Sequence, residues 1–462
     1  MPRSAPGYTA VVPRHFEPFL HLVEITPESA VIGWGGFFLE ERDDGWVVVD
    51  DDDLDRRREG GTIGAGSSPY GRATVEVLDG SGRVVAQATT EERNHVEVGG
   101  LRPDTAHGYR VTVDGRPWAE GERWDWVLDE DGPGRPRPAG RHYEPSFRTM
   151  PAPDAEVPVA LLAFGDYGVG ITNGEAGRRQ VGVARTLEHL AARHGVRALV
   201  GLGDNIYHGE EDALAQSGDE DDDWYFTFYE PYRYLIDHLP VYPAAGNHDG
   251  ADEEANDDRA QLADNFHLER FGDDGPGLFY RVGIGALVEL VCIDTSAGDG
   301  GRQFQDRRRR AWLDDAFPPG AEAGRPWRLP FCHHPAACAG PHHPGMPEQV
   351  EELLPRYRRS GARLLLSGHE HNFQVGRVDG LTQVISGAAG KLQEDAPTAF
   401  GPAGTVAWAA AAHCLLVEVG SEEVRLTPFG VAPPGGEPAP LAVHAPDGDP
   451  AQATVVVPRD EA

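Results

Sequence analysis

The chain has 462 residues, with 41 basic against 75 acidic side chains and a formal net charge of −34. That length leads to an expectation of two domains and leaves ample chain for a large core. The charge repels polyanions, so nucleic acid and anionic membrane are not expected partners, and no window reaches the roughly eighteen apolar residues of a membrane span.

The opening stretch MPRSAPGYTAVVPRHF lacks the apolar core of a secretory signal, so a soluble cytoplasmic protein is the expectation. Cys292, Cys332, Cys338 and Cys414 are scattered without CxxC spacing, which favours free thiols over a disulfide framework or a zinc knuckle. Lys391 is the only lysine in a sequence otherwise rich in Arg, Ala, Gly and Asp.

From about Phe19 to Met150 the apolar residues alternate, as in SAVIGW (29–34), ATVEVL (73–78) and YRVTV (109–113), with turn residues between them. This is the pattern of a small β-sandwich. Within it, LRPDTAHGY (101–109) resembles the signature of fibronectin type III domains, with a longer spacing between Thr105 and Tyr109 than the family has. The resemblance implies that Tyr109 starts a strand and ties its hydroxyl back to an upstream turn. Two polar runs, 50–58 and 129–138, read as solvated loops. MPAPDA (150–155) reads as a linker, dividing the chain into residues 1–150 and 151–462.

Beyond Val157 strands alternate with helical stretches, the clearest helix placing Val181, Ala184, Leu187, Leu190 and Ala191 on one face. Such alternation indicates an α/β layered domain. After about Ala410 the pattern returns to strands, expected to add to a sheet edge.

The informative fact is where the polar clusters fall. GDYG (165–168), GDNIY (203–207), GNHD (246–249), HHP (333–335) and GHEH (368–371) each follow an apolar run. Carboxyl ends of strands in open α/β sheets converge on the ligand crevice, so the five clusters are expected to meet. Singly, each Asp or Asn after Gly is an ordinary turn former. Together, Asp, Asn, His and Tyr give an oxygen and nitrogen set without sulfur, suited to iron, manganese or zinc. The set exceeds the needs of one tetrahedral ion and fits two ions at ~3.5–4 Å with a shared carboxylate.

These clusters resemble, in order, the five motifs of the purple acid phosphatases, within the calcineurin-like metallophosphoesterase superfamily, over roughly residues 157–391. The implied fold is α/β: a metallophosphoesterase β-sandwich flanked by helices in αββα layers, preceded by an all-β fibronectin type III-like sandwich. Gly168 stands where most of the superfamily has a histidine, and in purple acid phosphatases a tyrosine, here Tyr207, replaces it as a phenolate on trivalent iron.

The resemblance implies one ion on Asp166, Asp204, Tyr207 and His371. It implies a second on Asn247, His333 and His369, with Asp204 as bridge. The cofactors are then Fe(3+) plus a divalent iron, zinc or manganese ion. His248 resembles the family's general acid, with Asp249 beside it to fix its tautomer or raise its pKa. The implied activity is hydrolysis of small phosphomonoesters by a metal-bound hydroxide. Two alternatives stay open: a phosphodiesterase or nucleotide phosphohydrolase with two divalent metals, and a binding protein with a vestigial catalytic domain. No role follows for His208, His342 or His343, and His334, where the family tolerates aromatic residues, stays open between a contact role and none. Glu370 is expected to face solvent or orient a neighbouring histidine, and the acidic run 209–223 to be a solvated insertion.

Overall fold

In the computed structural model, which describes residues 14–42, 45–48, 71–91, 93–129, 132–207, 224–250, 262–268, 278–296, 302–320, 326–433 and 436–459, strands dominate both halves of the chain. The 50–58 and 209–223 runs and His208 lie outside the described residues.

Before residue 150 the strand Ser29–Arg42 pairs with Arg14–Ile25, Gly45–Val48 and His95–Gly99 in one sheet. A second sheet runs Ser146–Arg148, Ala106–Val113, Ala73–Leu78, Val84–Thr90. Alternate residues turn inward, as the two-residue period of a strand requires. Val75, Val77, Tyr109 and Val111 therefore meet Trp34 and Ile32 in a buried core. The 129–138 run corrects the loop expectation: it enters the strand Gly132–His142, which pairs with Glu122–Asp129 so that Pro136 opposes Trp126 and Pro138 opposes Trp124. A two-stranded ribbon has an unpaired side on each strand, where a proline costs no ladder bond.

The second half has two sheets. The first runs Val241–Pro243, Val196–Gly201, Val159–Phe164, His413–Val419, Glu423–Gly430, Val455–Pro458. Its first three strands are parallel, and the C-terminal strands extend it antiparallel from the side of Val159–Phe164. The second sheet has a parallel heart of Val288–Cys292, Trp327–Phe331, Leu364–Ser367 and Leu381–Ser386. Parallel strands covered on both faces need no alternation, and VALLAF at 159–164 is buried at nearly every position.

The helix Gly174–His194 covers the outer face of the first sheet, burying Ala176, Val183, Ala184, Leu187 and Leu190 and stopping at Gly195 with φ 58°. Its stripe is centred one residue away from the expected one: Val183 is core, while Val181 and Ala191 lie at its margin. On the second sheet, Leu313 and Phe317 from the Arg307–Ala316 helix and its end join Leu353 and Tyr357 over Val291 and Leu365. The order helix, sheet, sheet, helix is the layering anticipated from the sequence. All four cysteines are buried free thiols, and no helix among the described residues is long and apolar enough to cross a membrane.

Among the described residues no strand before residue 150 pairs with one after it. Much of the contact between the halves falls on the segment 224–239, with Arg197–Asp104, Arg141–Glu188 and His95–His267 meeting outside it. Phe19 stacks on Tyr229 at 4.0 Å between centroids, Leu22 N donates to Ile236 O (2.7 Å), and the buried Arg123 guanidinium pairs with Asp237. Tyr109 lies inside Ala106–Val113, and its hydroxyl donates to the Asp237 carbonyl at 3.0 Å. The tie implied for it is therefore made across to the second half rather than to an upstream turn, because Asp237 packs directly over the Tyr109 face of the sheet.

Candidate metal centre

Each polar cluster follows a strand, and the strand order decides which clusters meet. Val159–Phe164, Val196–Gly201 and Val241–Pro243 are adjacent and parallel, so the loops holding Asp166, Asp204 and Asn247 leave the same edge. In the facing sheet Trp327–Phe331 and Leu364–Ser367 are likewise adjacent and parallel, presenting His333, His369 and His371.

Asp166 and Asp204 are buried. One oxygen each from the two carboxylates and one nitrogen of His371 all lie within 4.8 Å of one another, His371 Nε2 being 3.5 Å from Asp166 Oδ1. A second convergence centres on His333 Nε2, which is 2.9 Å from Asn247 Oδ1, 3.3 Å from Asp204 Oδ2 and 3.2 Å from His369 Nδ1. Asp204 thus belongs to both groups. His333 Nδ1 lies 2.9 Å from the Leu202 carbonyl, and donating there turns Nε2 toward Asn247, Asp204 and His369.

Polar atoms converging in this way repel unless a proton or a cation lies among them. The charge behaviour of the site shows the pressure. Burial drives the Asp166 carboxyl well above the usual range. Burial pushes Asp204 the same way, but the neighbouring His333 and His248 hold it well below. Burial would also lower His333, yet Asp204 and then Asp166 raise it to about 9. His371 and His334 are pushed down to about 3, and His369 further, mainly by burial, leaving neutral imidazoles.

The Tyr207 hydroxyl is fully buried, close to Asp204 but without a hydrogen bond of good geometry. Burial, then the charges of Asp204 and Asp166, push its pKa well above the ordinary phenol value. A buried phenol poorly bonded beside two carboxylates is costly for a folded protein and ordinary for a metal ligand. The Gly168 correlation has a steric origin: a Cβ at 168 would collide with the Asn205 carbonyl and Ile206 N, and Gly168 O accepts from Tyr207 N at 2.9 Å. The loop carrying the tyrosine occupies the space a side chain at 168 would need.

Close approach is also what Gly246 provides, since its Cβ would collide with Asp204 Oδ1. Of the seven non-glycine residues with positive φ among the described residues, three are ligand candidates: Asp166, Asp204 and His369 have φ of 58°, 51° and 72°. Non-glycine residues in this region cluster at functional sites.

His248 is half-buried, with its N donating to Asp204 Oδ1 at 3.0 Å and its ring 4.5 Å from that of Tyr207. Asp249 corrects its expectation. Its carboxylate accepts from Asn205 N (2.9 Å), Asn205 Nδ2 (2.7 Å), Ile206 N (3.2 Å) and Gly246 N (2.6 Å), and none of these bonds goes to the His248 ring. It braces the 204–206 loop, because four convergent donors outcompete a neighbouring imidazole.

Glu370 is buried rather than solvent-facing, accepting from His343 N at 2.7 Å. That bond brings the His343 ring to 4.1 Å from His369 and 5.6 Å from His371, at the mouth of the site. His334 reaches His369 at 4.3 Å while its Nδ1 is 3.1 Å from Thr295 Oγ1. His343 carried no signal in the sequence, since its placement depends on where Glu370 points.

Residues 161–373 match the family model described as calcineurin-like phosphoesterase, and this part of the chain is a calcineurin-like metallophosphoesterase domain. Among solved structures, one of PhoD is similar over 98% of this chain and 94% of that one, with TM-score 0.62 and 13% identity. The purple acid phosphatase PPD1 from yellow lupin (Lupinus luteus) seeds is similar over 93% of this chain and 74% of that one, with TM-score 0.57 and 12% identity. At these identities the likeness is one of fold. No curated protein sequence matches the chain.

Proposed function

We propose that the chain hydrolyses small phosphomonoesters at a pair of metal ions. Asp166, Asp204, Tyr207 and His371 would hold one ion, and Asp204, Asn247, His333 and His369 the other. The observation that carries the reading is the convergence of His333, Asn247, Asp204 and His369 on one point, with Asp204 shared by the Asp166–His371 group. The donor set of carboxylates, imidazoles, an amide oxygen and a phenol suits iron with iron, zinc or manganese. Bound there, such ions supply Lewis acidity toward a phosphoryl oxygen and acidify a water molecule.

The chain's own residues divide the remaining work. His248, half-buried beside Tyr207 and Asp204, is placed to give a proton to the departing alkoxide. Asp249 holds the loop that sets Asp204 and Tyr207. The neutral imidazoles of His369 and His371 keep their lone pairs for the ions. The fibronectin type III-like reading of the first half and the boundary near residue 150 belong to the same proposal.

The test compares p-nitrophenyl phosphate with bis-p-nitrophenyl phosphate on the purified, metal-loaded protein. Greater kcat/KM on the monoester is expected. Greater kcat/KM on the diester replaces this reading with a phosphodiesterase, and turnover of neither leaves the vestigial alternative.

A further inference from the structure

Lys391 is the one lysine among 41 basic side chains, and it stands at the metal centre. Its backbone is pinned to the loops of both sheets. Lys391 N and Gly390 N donate to the Asp166 carbonyl at 3.0 and 3.1 Å, Ala389 N donates to Gly165 O at 3.1 Å, and Gln393 N donates to His371 O at 2.8 Å. From this anchored stretch the ammonium reaches over the face of the Tyr207 ring, with Nζ 4.6 Å from the centroid. The His248 ring lies 4.5 Å from that of Tyr207, and Val169 and Ala176 pack against the same buried side chain.

The residue type is informative. Elsewhere the chain meets every need for a cation with arginine, which also stacks on aromatic faces more often than lysine does. A lysine at this one position supplies what a guanidinium does not: a compact charge on a slim stem. A positive charge over a phenol ring stabilises the electrons of that ring.

We propose that Lys391 is a positioning residue for Tyr207, holding the ring against the first ion's site and setting how strongly the phenol oxygen donates to an ion bound there. This rests on the reading of Tyr207 as a ligand. The sign follows from which electrons the charge faces. The ammonium lies over the face of the ring, so its field lowers the energy of the phenolate donor. It therefore raises the energy of charge transfer from phenolate to ferric iron. Removing it lowers that energy.

The experiment loads wild type, Lys391→Met and Lys391→Arg with ferric iron and zinc, verifies equal iron content by metal analysis, and records the visible spectrum. The expected result is a band in wild type, the same band at longer wavelength in Lys391→Met, and a position nearer wild type in Lys391→Arg. Lys391→Gln, checked for fold by circular dichroism, replaces Lys391→Met should the latter not accumulate. An unmoved band at equal iron content overturns the role of Lys391 while leaving Tyr207 a ligand. An equal shift in Lys391→Arg overturns the role of its compact charge. A wild type that takes up iron without a band overturns both.

Discussion

Three of the ligand candidates, Asp166, Asp204 and His369, hold left-handed backbone angles without being glycine, and each is fixed by bonds to another member of the site. His369 N donates to both oxygens of Asp166, and His248 N to Asp204. Backbone strain here is held by the surrounding polar network, which also aims the side chains. His248 is the group whose role depends on the substrate. If it protonates the departing alkoxide, its importance grows with the basicity of that alkoxide. His248→Ala is expected to cut kcat by ~10²–10⁴-fold on an alkyl phosphate and much less on p-nitrophenyl phosphate, whose leaving group needs no proton. Equal losses on the two esters would contradict an acid role and leave His248 a packing partner of Tyr207.

At the scale of elements, five strand ends bring the candidate ligands together, and the segment 224–239 carries much of the contact with the first half of the chain. Arg123 is the centre of that junction: buried, paired with Asp237, and donating to the Arg233 carbonyl at 3.0 Å. Nearby, Glu230 pairs with Arg233 and accepts from Trp126 N. Removing one partner of a buried pair strands the other, so Arg123→Ala is expected to destabilise the protein by about 3–5 kcal/mol, read as a lower urea midpoint. A loss below about 1 kcal/mol would show that Asp237 finds water or another donor.

The strand ends were legible because each puts a polar cluster after an apolar run, a contrast that needs no knowledge of neighbours. The partners of Asp249, Glu370 and Tyr109 were not. Each binds a group distant in sequence or on a facing loop, and only the meeting of the elements selects it. The strand Gly132–His142 was hidden for a different reason: its prolines and arginines carry no apolar alternation, and a ribbon needs little of it.

The whole molecule sets a field against the substrate proposed for it. A chain of net charge −34 repels a phosphate dianion until the substrate comes within the local influence of the site. At 0.1 M salt that field is screened beyond about 10 Å. kcat/KM for a phosphomonoester is therefore expected to rise as salt is added from low ionic strength, and a steady fall would contradict a net repulsive field on the approaching substrate. Under the proposed reading, the same charge favours small substrates over polyanionic ones.

The most direct measurement is metal analysis of the purified protein together with its visible spectrum, for wild type and Tyr207→Phe. The account predicts two metal ions per wild-type chain, iron among them, with a visible band that Tyr207→Phe abolishes while the variant keeps its fold. Two metal ions and an unchanged band in Tyr207→Phe would remove the tyrosine from the centre, and a wild type that binds no metal would remove the centre itself.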